Sequence, residues 1–471
     1  MNPFRARWPD RLGLILSAAA ASVGFTLVRP LPVWPGGELL VAWMVATLLV
    51  AVPMLVVELA TGAIYQSAAA DSLRKANKHL EALGWGSAVL ALAAAVLIAS
   101  AASGAVLAVW DCAIAALASQ PLPWSPNAER VLAERSHDGG MVLAVAALLA
   151  LVHLRLRRGA PSIARTAFSL GLAGSGALLV AGILLMTRPG AVEGLARMLA
   201  PSADPWGALG SWALWQEAIG LALISWLPGL GIYTAFGSCL NRSSDVTGLG
   251  VVTGLVGALA VLVLTAVAFA AGGVAAIGGH AAVGQVGGPA LLMAVPEALV
   301  QMPFVPWFIA LLATLWFVLV LAFLVPALVA LVEAVTAPVV DKFHLPRERV
   351  VPAVCLVVFF LAAPLALGDG AAPAAIAGPV VILVALLVAL HAVATWRALT
   401  LDALQRHLNA YSAFRLGPVW RVSVSLLVPV AVLSFAVTRW SAETHPLWLA
   451  GALVLVVLMS ILAARLPARN A

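Results

Sequence analysis

The stretch RLGLILSAAAASVGFTLVRPLP, Arg11 to Pro32, decides how the rest of the chain is interpreted. It begins as an apolar segment long enough to enter a bilayer, meets Ser22-Val23-Gly24 in its middle, and ends among prolines beside Arg29. A helix that loses its regularity inside hydrocarbon leaves backbone polar groups unpaired, and a membrane tolerates this only where the backbone lines a cavity or is buried in protein. We therefore expect a helix that breaks at Ser22-Val23-Gly24.

The composition around this stretch is that of a membrane protein. Of 471 residues, 63% are hydrophobic and 10% are charged, against about 25% charged in soluble domains. Apolar runs recur along the chain, each long enough to span about 30 Å of hydrocarbon. We predict an all-α polytopic membrane protein, a single transmembrane domain over residues 1–471, with about twelve spans at 12–32, 38–65, 86–118, 139–156, 164–187, 212–239, 247–275, 303–337, 350–367, 371–396, 417–438 and 446–465.

Basic residues give the orientation. With the N-terminus inside, most of the 26 Lys and Arg residues fall in cytoplasmic loops, as the positive-inside rule requires. We expect both termini in the cytoplasm, a bacterial inner membrane, the lipid bilayer as partner, no nucleic-acid partner, and a monomer or homodimer. The chain carries no motif of a hydrolase, nucleotide-binding protein or metalloenzyme, so neither an enzyme nor a cofactor is expected.

A second interruption suggests an internal repeat. The sixth span contains Pro228-Gly229-Leu230-Gly231, five spans after the predicted break in the first. Interruptions at equivalent places in two halves of opposite topology are typical of secondary transporters, which bind solute at such breaks. We predict inverted repeats over 12–187 and 212–396, followed by two further helices over 417–465.

These residues resemble the neurotransmitter:sodium symporter family, which has the leucine-transporter fold. The resemblance is strongest in Arg5, Trp8, the Arg-Leu-Gly-Leu-Ile-Leu of span 1, the end of span 2 around Glu58, and Gly229-Leu230-Gly231. It implies that spans 1 and 6 bind a small solute, amino-acid-like or more apolar, through Ser22, Gly24, Phe25, Thr26, Ser103, Gly104, Ile224, Ser225, Leu227, Gly229 and Leu230. The apolar members of this set, with Trp226, could equally be core packing.

The resemblance also implies two sodium sites, and this chain departs from both. The asparagine of span 1 falls on Leu27, that of span 7 near Gly288 or Pro289, and the threonine and serine of span 8 fall on Pro326 and Ala327. Hard cations need oxygen ligands. The residual sodium ligands would be at best Ala20, Ser22, Val23 and Ser225, so sodium coupling is doubtful and proton coupling is the alternative.

Gates and carboxylates complete the set of candidates. The resemblance makes Arg5, Trp8 and Asp341 an inner gate, while Arg29 at the outer mouth is either an anion-attracting gate or a side chain that snorkels to headgroups. Glu58 and Glu333 are either structural partners of exposed backbone or proton carriers. The function expected is secondary transport by alternating access; the competing hypothesis is a non-transporting sensor or accessory subunit with the same fold.

Overall fold

The computed structural model describes residues 7–28, 36–122, 139–277, 290–368, 371–398, 401–442 and 446–468. All regular secondary structure in these ranges is helical. The membrane-length helices, in chain order, are span 1, Arg11–Leu27; span 2, Gly37–Tyr65; span 3, Glu81–Leu117; span 4, Gly139–Leu156; span 5, Ala160–Met186; span 6, Trp212–Trp226 with Ile232–Gly237; span 7, Val246–Ile277; span 8, Pro306–Phe343; span 9, Arg347–Ala366; span 10, Ala371–Ala398; span 11, Pro418–Ala442; and span 12, Pro446–Arg465.

Ten helices of the described chain are long and apolar enough to cross a membrane on their own. The other two spans are span 1, with 17 residues, and span 6, which is divided into two short helices. The all-α prediction with about twelve spans is therefore confirmed. Shorter helices lie between spans, at Ala69–Ala76, Ala191–Leu199, Pro205–Gly210, Ala290–Val300 and Leu401–Tyr411.

Span 8 forms the centre of the bundle. The most apolar window of this helix is 83% buried, against 11% for span 12, which lies at the periphery. Span 8 packs along spans 1, 3 and 5. Its helix continues six residues beyond the predicted end at residue 337, so Asp341 and Lys342 are helical. At 1.5 Å per residue its 38 residues extend about 57 Å, well past the hydrocarbon on a side that carries charge.

Span 1 differs from the prediction. Residues Ser22, Val23 and Gly24 are helical, and the helix runs unbroken from Arg11 to Leu27, so the predicted break at these residues is wrong. The hydroxyl of Ser22 donates to Ala19 O at 2.8 Å, which keeps this polar group inside the helix. Gly24 serves a different purpose: it allows close contact with span 8. The residues that follow, including Arg29, lie outside the described ranges.

The predicted break in span 6 is confirmed. The first helix ends at Trp226, Leu227 adopts a left-handed conformation (φ 43°), and Gly229 and Gly231 have φ of 86° and 74°. Side chains with a Cβ rarely adopt such φ values, whereas glycine adopts them readily. Helical structure resumes at Ile232. Two glycines in this short segment therefore allow the chain to leave and re-enter a helix within the membrane.

Candidate functional site

Glu58 of span 2 lies against the break in span 6. Its Oε1 accepts a short hydrogen bond from the backbone N–H of Gly229, and its side chain is buried. An unwound backbone N–H in the membrane interior needs such a partner. Glu58 Oε2 is buried with no hydrogen-bond partner in the described part of the chain. The contact to Gly229 is that of a backbone cap, and the second oxygen is available for a proton.

Tyr233 bridges the same break. Its hydroxyl donates to the carbonyl of Trp226 at 2.8 Å, which joins the second half of span 6 to the last residue of the first. Tyr233 was not predicted from the sequence as a site residue, although it is one of only three tyrosines in the chain and lies two residues after Gly231. The two halves of span 6 are therefore connected through a side chain where helix hydrogen bonds are absent.

A cluster of hydroxyl groups joins span 1 to span 6. Thr26 Oγ1 lies 3.1 Å from Ser225 Oγ and 2.8 Å from Ser22 O. All three side chains are buried. These are three of the predicted solute-binding residues, and the structure brings them together beside the start of the break.

Gly24 sets the distance between span 1 and span 8. A Cβ at this position would lie 2.4 Å from Phe323 O and 2.7 Å from Ala327 Cβ, so the helices touch backbone to backbone. Since residues 11–27 form one α-helix, the carbonyls of Ala20 and Val23 accept hydrogen bonds from N–H groups four residues later. The oxygens expected as residual sodium ligands are thus engaged inside the helix.

Gly257 of span 7 lies beside Ser22 of span 1 and Trp226 of span 6. A Cβ on Gly257 would lie 2.9 Å from Ser22 Oγ and 2.2 Å from Cη2 of Trp226. The residues predicted at the span 7 ligand position, Gly288 and Pro289, lie outside the described ranges, and the described helix of span 7 ends at Ile277, so that assignment stays a prediction. Gly257, like those residues, has no side-chain oxygen. The Trp226 indole fills the space instead.

The remaining predicted solute-binding residues fall into two groups. Phe25, Leu227 and Leu230 are buried in the apolar core beside the break, and Ile224 is half-buried. Ser103 donates to Ser100 O at 2.6 Å and contacts Met141 Sδ of span 4, so its hydrogen bonds do not connect it to spans 1 and 6. Next to it, Gly104 faces open space: a Cβ there would have no neighbour within 4 Å.

Trp8 packs against the second half of span 6. Its indole N–H donates to Phe236 O at 2.9 Å, and the two rings meet edge to face with centroids 5.2 Å apart. Asp341, the predicted gate acid, accepts a hydrogen bond from Ala68 N at 2.7 Å. Arg5 lies outside the described residues, so its pairing with Asp341 stays a prediction.

Glu333 has a charged partner. Arg347 donates to both its oxygens, at 2.9 Å and 2.5 Å, and also to Leu156 O at 3.2 Å. Both side chains are largely buried, and a bidentate pair of this kind fixes the ends of spans 8 and 9 together. The geometry is that of a structural carboxylate.

Comparison with known proteins places these features in a family. A family model described as the sodium:neurotransmitter symporter family matches residues 138–465, more than half of the chain. The chain is 25% identical over 456 residues to an uncharacterized sodium-dependent transporter of Methanocaldococcus jannaschii, covering 90% of this chain and 88% of that protein. Its fold is similar to the crystal structure of MhsT in complex with L-phenylalanine, with a TM-score of 0.74, 20% identity, and coverage of 92% of this chain and 100% of that chain.

These matches favour a transporter over the competing hypothesis of a sensor or accessory subunit, and family and fold are those of transporters rather than enzymes. The broken span 6, its cap from span 2 and the hydroxyls of span 1 agree with that conclusion. The chain belongs to the sodium:neurotransmitter symporter family.

Proposed function

We propose that this protein moves a small, largely apolar organic solute across a bacterial inner membrane by alternating access around spans 1 and 6. The observation that carries the proposal is the break at Leu227–Gly231, where the helix of span 6 is interrupted beside the hydroxyls of Thr26 and Ser225. Half-helix ends of this kind bind polar parts of a solute. The surrounding side chains, Phe25 and Leu230 among them, are apolar. MhsT binds L-phenylalanine, an apolar amino acid, in the structure to which this fold is similar.

In this proposal, transport does not depend on the two sodium ions that the family resemblance implies. Pro326 and Ala327 of span 8 support the loss of one site, because neither side chain carries an oxygen that could bind the ion. Leu27, Gly257 and the Trp226 indole support the loss of the other, because none of their side chains offers an oxygen.

The test is solute-dependent uptake into proteoliposomes, with sodium replaced by choline at equal ionic strength. We expect the same initial rate in both salts and at least tenfold slower uptake in Ser225→Ala. Thr187→Ala, at an exposed hydroxyl outside the hydroxyl cluster, is the matched control. Uptake that collapses in choline would refute the proposed loss of the sodium sites, and uptake that survives Ser225→Ala would refute the site.

Glu58 is the carboxylate we propose for proton coupling. Glu333 is committed to its bidentate pair with Arg347, whereas Glu58 has an oxygen without a partner in the described chain and lies on the element that must move. In proteoliposomes with an inward proton gradient, wild-type protein should accumulate solute. Glu58→Gln keeps an acceptor for Gly229 N–H but carries no proton, so it should exchange solute without accumulating it.

A control at Glu217, which pairs with Arg439 at the outer end of span 6, separates proton coupling from general loss of charge. Glu217→Gln should accumulate solute like the wild type. Accumulation by Glu58→Gln at the wild-type level would show that Glu58 is a backbone cap only.

The orientation is proposed with both termini in the cytoplasm, on the distribution of basic residues between loops. Single cysteines introduced near position 469 should be labelled in inverted vesicles and protected in right-side-out vesicles, and the opposite pattern would refute it. Whether the protein is a monomer or a homodimer follows from its mass in detergent; the exposed apolar surface of span 12 suits either a lipid or a protein neighbour.

A further inference from the structure

Trp226 carries an unusual polar group. It is the last residue of the first half of span 6, its side chain is 0% exposed, and it is among the largest fully buried side chains. Its Nε1 has no hydrogen-bond partner among the described residues. An indole N–H in an apolar interior usually finds an acceptor, because leaving it unpaired forfeits the hydrogen bonds it made to water. An unpaired donor next to a proposed solute site therefore requires an explanation.

The six-membered ring of the Trp226 indole packs into the junction of spans 1, 6 and 7. A Cβ on Gly257 would lie 2.2 Å from Cη2 and 2.8 Å from Cζ2 of the ring, and 2.9 Å from Ser22 Oγ. Cζ2 is separated from Nε1 by a single ring atom, so the donor lies next to the part of the ring that contacts this junction. Glycine at 257 is what allows the ring to occupy the junction.

A second unpaired hydroxyl lies one helical turn away. Thr253 precedes Gly257 by four residues, so both lie on one side of span 7. The Thr253 side chain is 0% exposed and its Oγ1 has no partner among the described residues. Two donors that lack acceptors thus lie on neighbouring elements of the junction.

Other candidates for holding the polar end of a solute are occupied or missing. Ser22 donates its hydroxyl proton to Ala19 O, Thr26 donates to Ser22 O, and Ser225 Oγ lies 3.1 Å from Thr26 Oγ1. The position at which the family resemblance expects a carboxylate-binding tyrosine in span 3 is Gly104, which has no side chain. A solute with a polar head therefore needs a donor from elsewhere.

We propose that the Trp226 N–H, assisted by the Thr253 hydroxyl, donates a hydrogen bond to a carbonyl oxygen of the transported solute. This inference rests on the proposed solute site between spans 1 and 6 and names the chemistry that the site selects: a small apolar molecule with a carboxylate or an amide. The solute reaches the donor when span 1 moves away from span 7 during the transport cycle. In the present structure the Trp226 side chain is fully buried.

Purified protein titrated by calorimetry with matched probes tests the proposal. The probes are L-alanine, L-valine, L-leucine, L-methionine and L-phenylalanine, each with its α-carboxamide and its decarboxylated amine. At least one acid or amide should bind, and its amine should bind at least tenfold more weakly. Whether the acid or the amide binds better shows whether the carbonyl oxygen belongs to a carboxylate or to an amide.

Trp226→Phe keeps an aromatic ring and removes the N–H. It should weaken the acid or amide at least tenfold, which corresponds to about 1.4 kcal/mol. Trp206→Phe, at a tryptophan that is 83% exposed, should leave binding unchanged. If Trp226→Phe does not fold, incorporation of β-(3-benzothienyl)alanine at position 226 keeps the bicyclic shape and replaces N–H by sulfur, with the same loss expected.

Three results would overturn the donor role: unchanged affinity without the N–H, an amine that binds as well as its acid, or no acid or amide that binds. They are distinguishable from failure of the proposed function. If an amine binds the wild type and this binding is lost in Ser225→Ala, the site between spans 1 and 6 is supported. Only the donor role of Trp226 is then refuted. Wild-type affinity for an acid in Ser225→Ala would remove the site itself.

Discussion

Replacement of Gly24 by alanine tests whether spans 1 and 8 are held in contact by the absence of a side chain. The added Cβ would lie 2.4 Å from Phe323 O, about 1 Å short of the 3.4 Å at which ordinary van der Waals contact begins. The clashing atom is a backbone carbonyl of the most deeply buried span, which cannot rotate away as a side chain could. Overpacking of this kind costs about 1–3 kcal/mol. Higher helix propensity returns about 0.5–1 kcal/mol. We therefore expect the free energy of unfolding to fall by roughly 1 kcal/mol, the difference between these two contributions.

Gly171→Ala in span 5 is the matched control. This glycine is also buried in a helix, but its Cβ would have no neighbour within 4 Å. It should gain up to about 1 kcal/mol through helix propensity alone. Reversible unfolding in mixed detergent micelles, followed by far-ultraviolet circular dichroism, measures both. If the two variants shift the unfolding midpoint equally, or if Gly24→Ala is the more stable, the close contact between spans 1 and 8 is refuted.

The same unfolding assay checks three further expectations. Glu58→Ala leaves a buried N–H of the span 6 break without its acceptor and should cost about 1–3 kcal/mol, whereas Glu58→Gln should cost clearly less; equal losses would contradict the cap. Arg347→Leu leaves Glu333 buried without its partner and should cost about 3–5 kcal/mol, most of which the double Leu variant should recover; an unrecovered loss would count against the pair. Burial raises the pKa of Asp71, but hydrogen bonds from Lys75 and its neighbour outweigh burial and lower the pKa below 3.8. The Asp71 carboxylate therefore stabilises the fold above the unfolded pKa, and this contribution is lost as pH falls through the folded pKa. It amounts to less than about 1 kcal/mol because the cations are exposed. Asp71→Asn should remove this acid dependence below pH 4, and an unchanged profile would argue against it.

The fold could be predicted because its signals are local. Apolar runs of membrane length fix where helices lie, since a backbone in hydrocarbon must pair with itself. Glycines at 229 and 231 marked the break in span 6, because only such residues adopt the required φ without strain. Span 1 shows the limit of the same argument. Gly24 was predicted to break the helix and is instead a packing contact with span 8. The sequence around Gly24 does not distinguish a break from a contact, because the partner carbonyl of Phe323 is about 300 residues away.

The candidate site divides in the same way. The sequence, through its family resemblance, predicted that Thr26, Ser225 and the break belong to one region, and the contact between the two hydroxyls agrees with this. Only the tertiary structure decided what each group touches: Glu58 caps Gly229, Glu333 pairs with Arg347, and the Trp226 indole lies against Gly257 with its N–H unpaired. The reason is physical. Helix formation in a membrane depends on residues within a few positions of each other, whereas the pairing of a buried polar atom depends on which distant helix packs beside it.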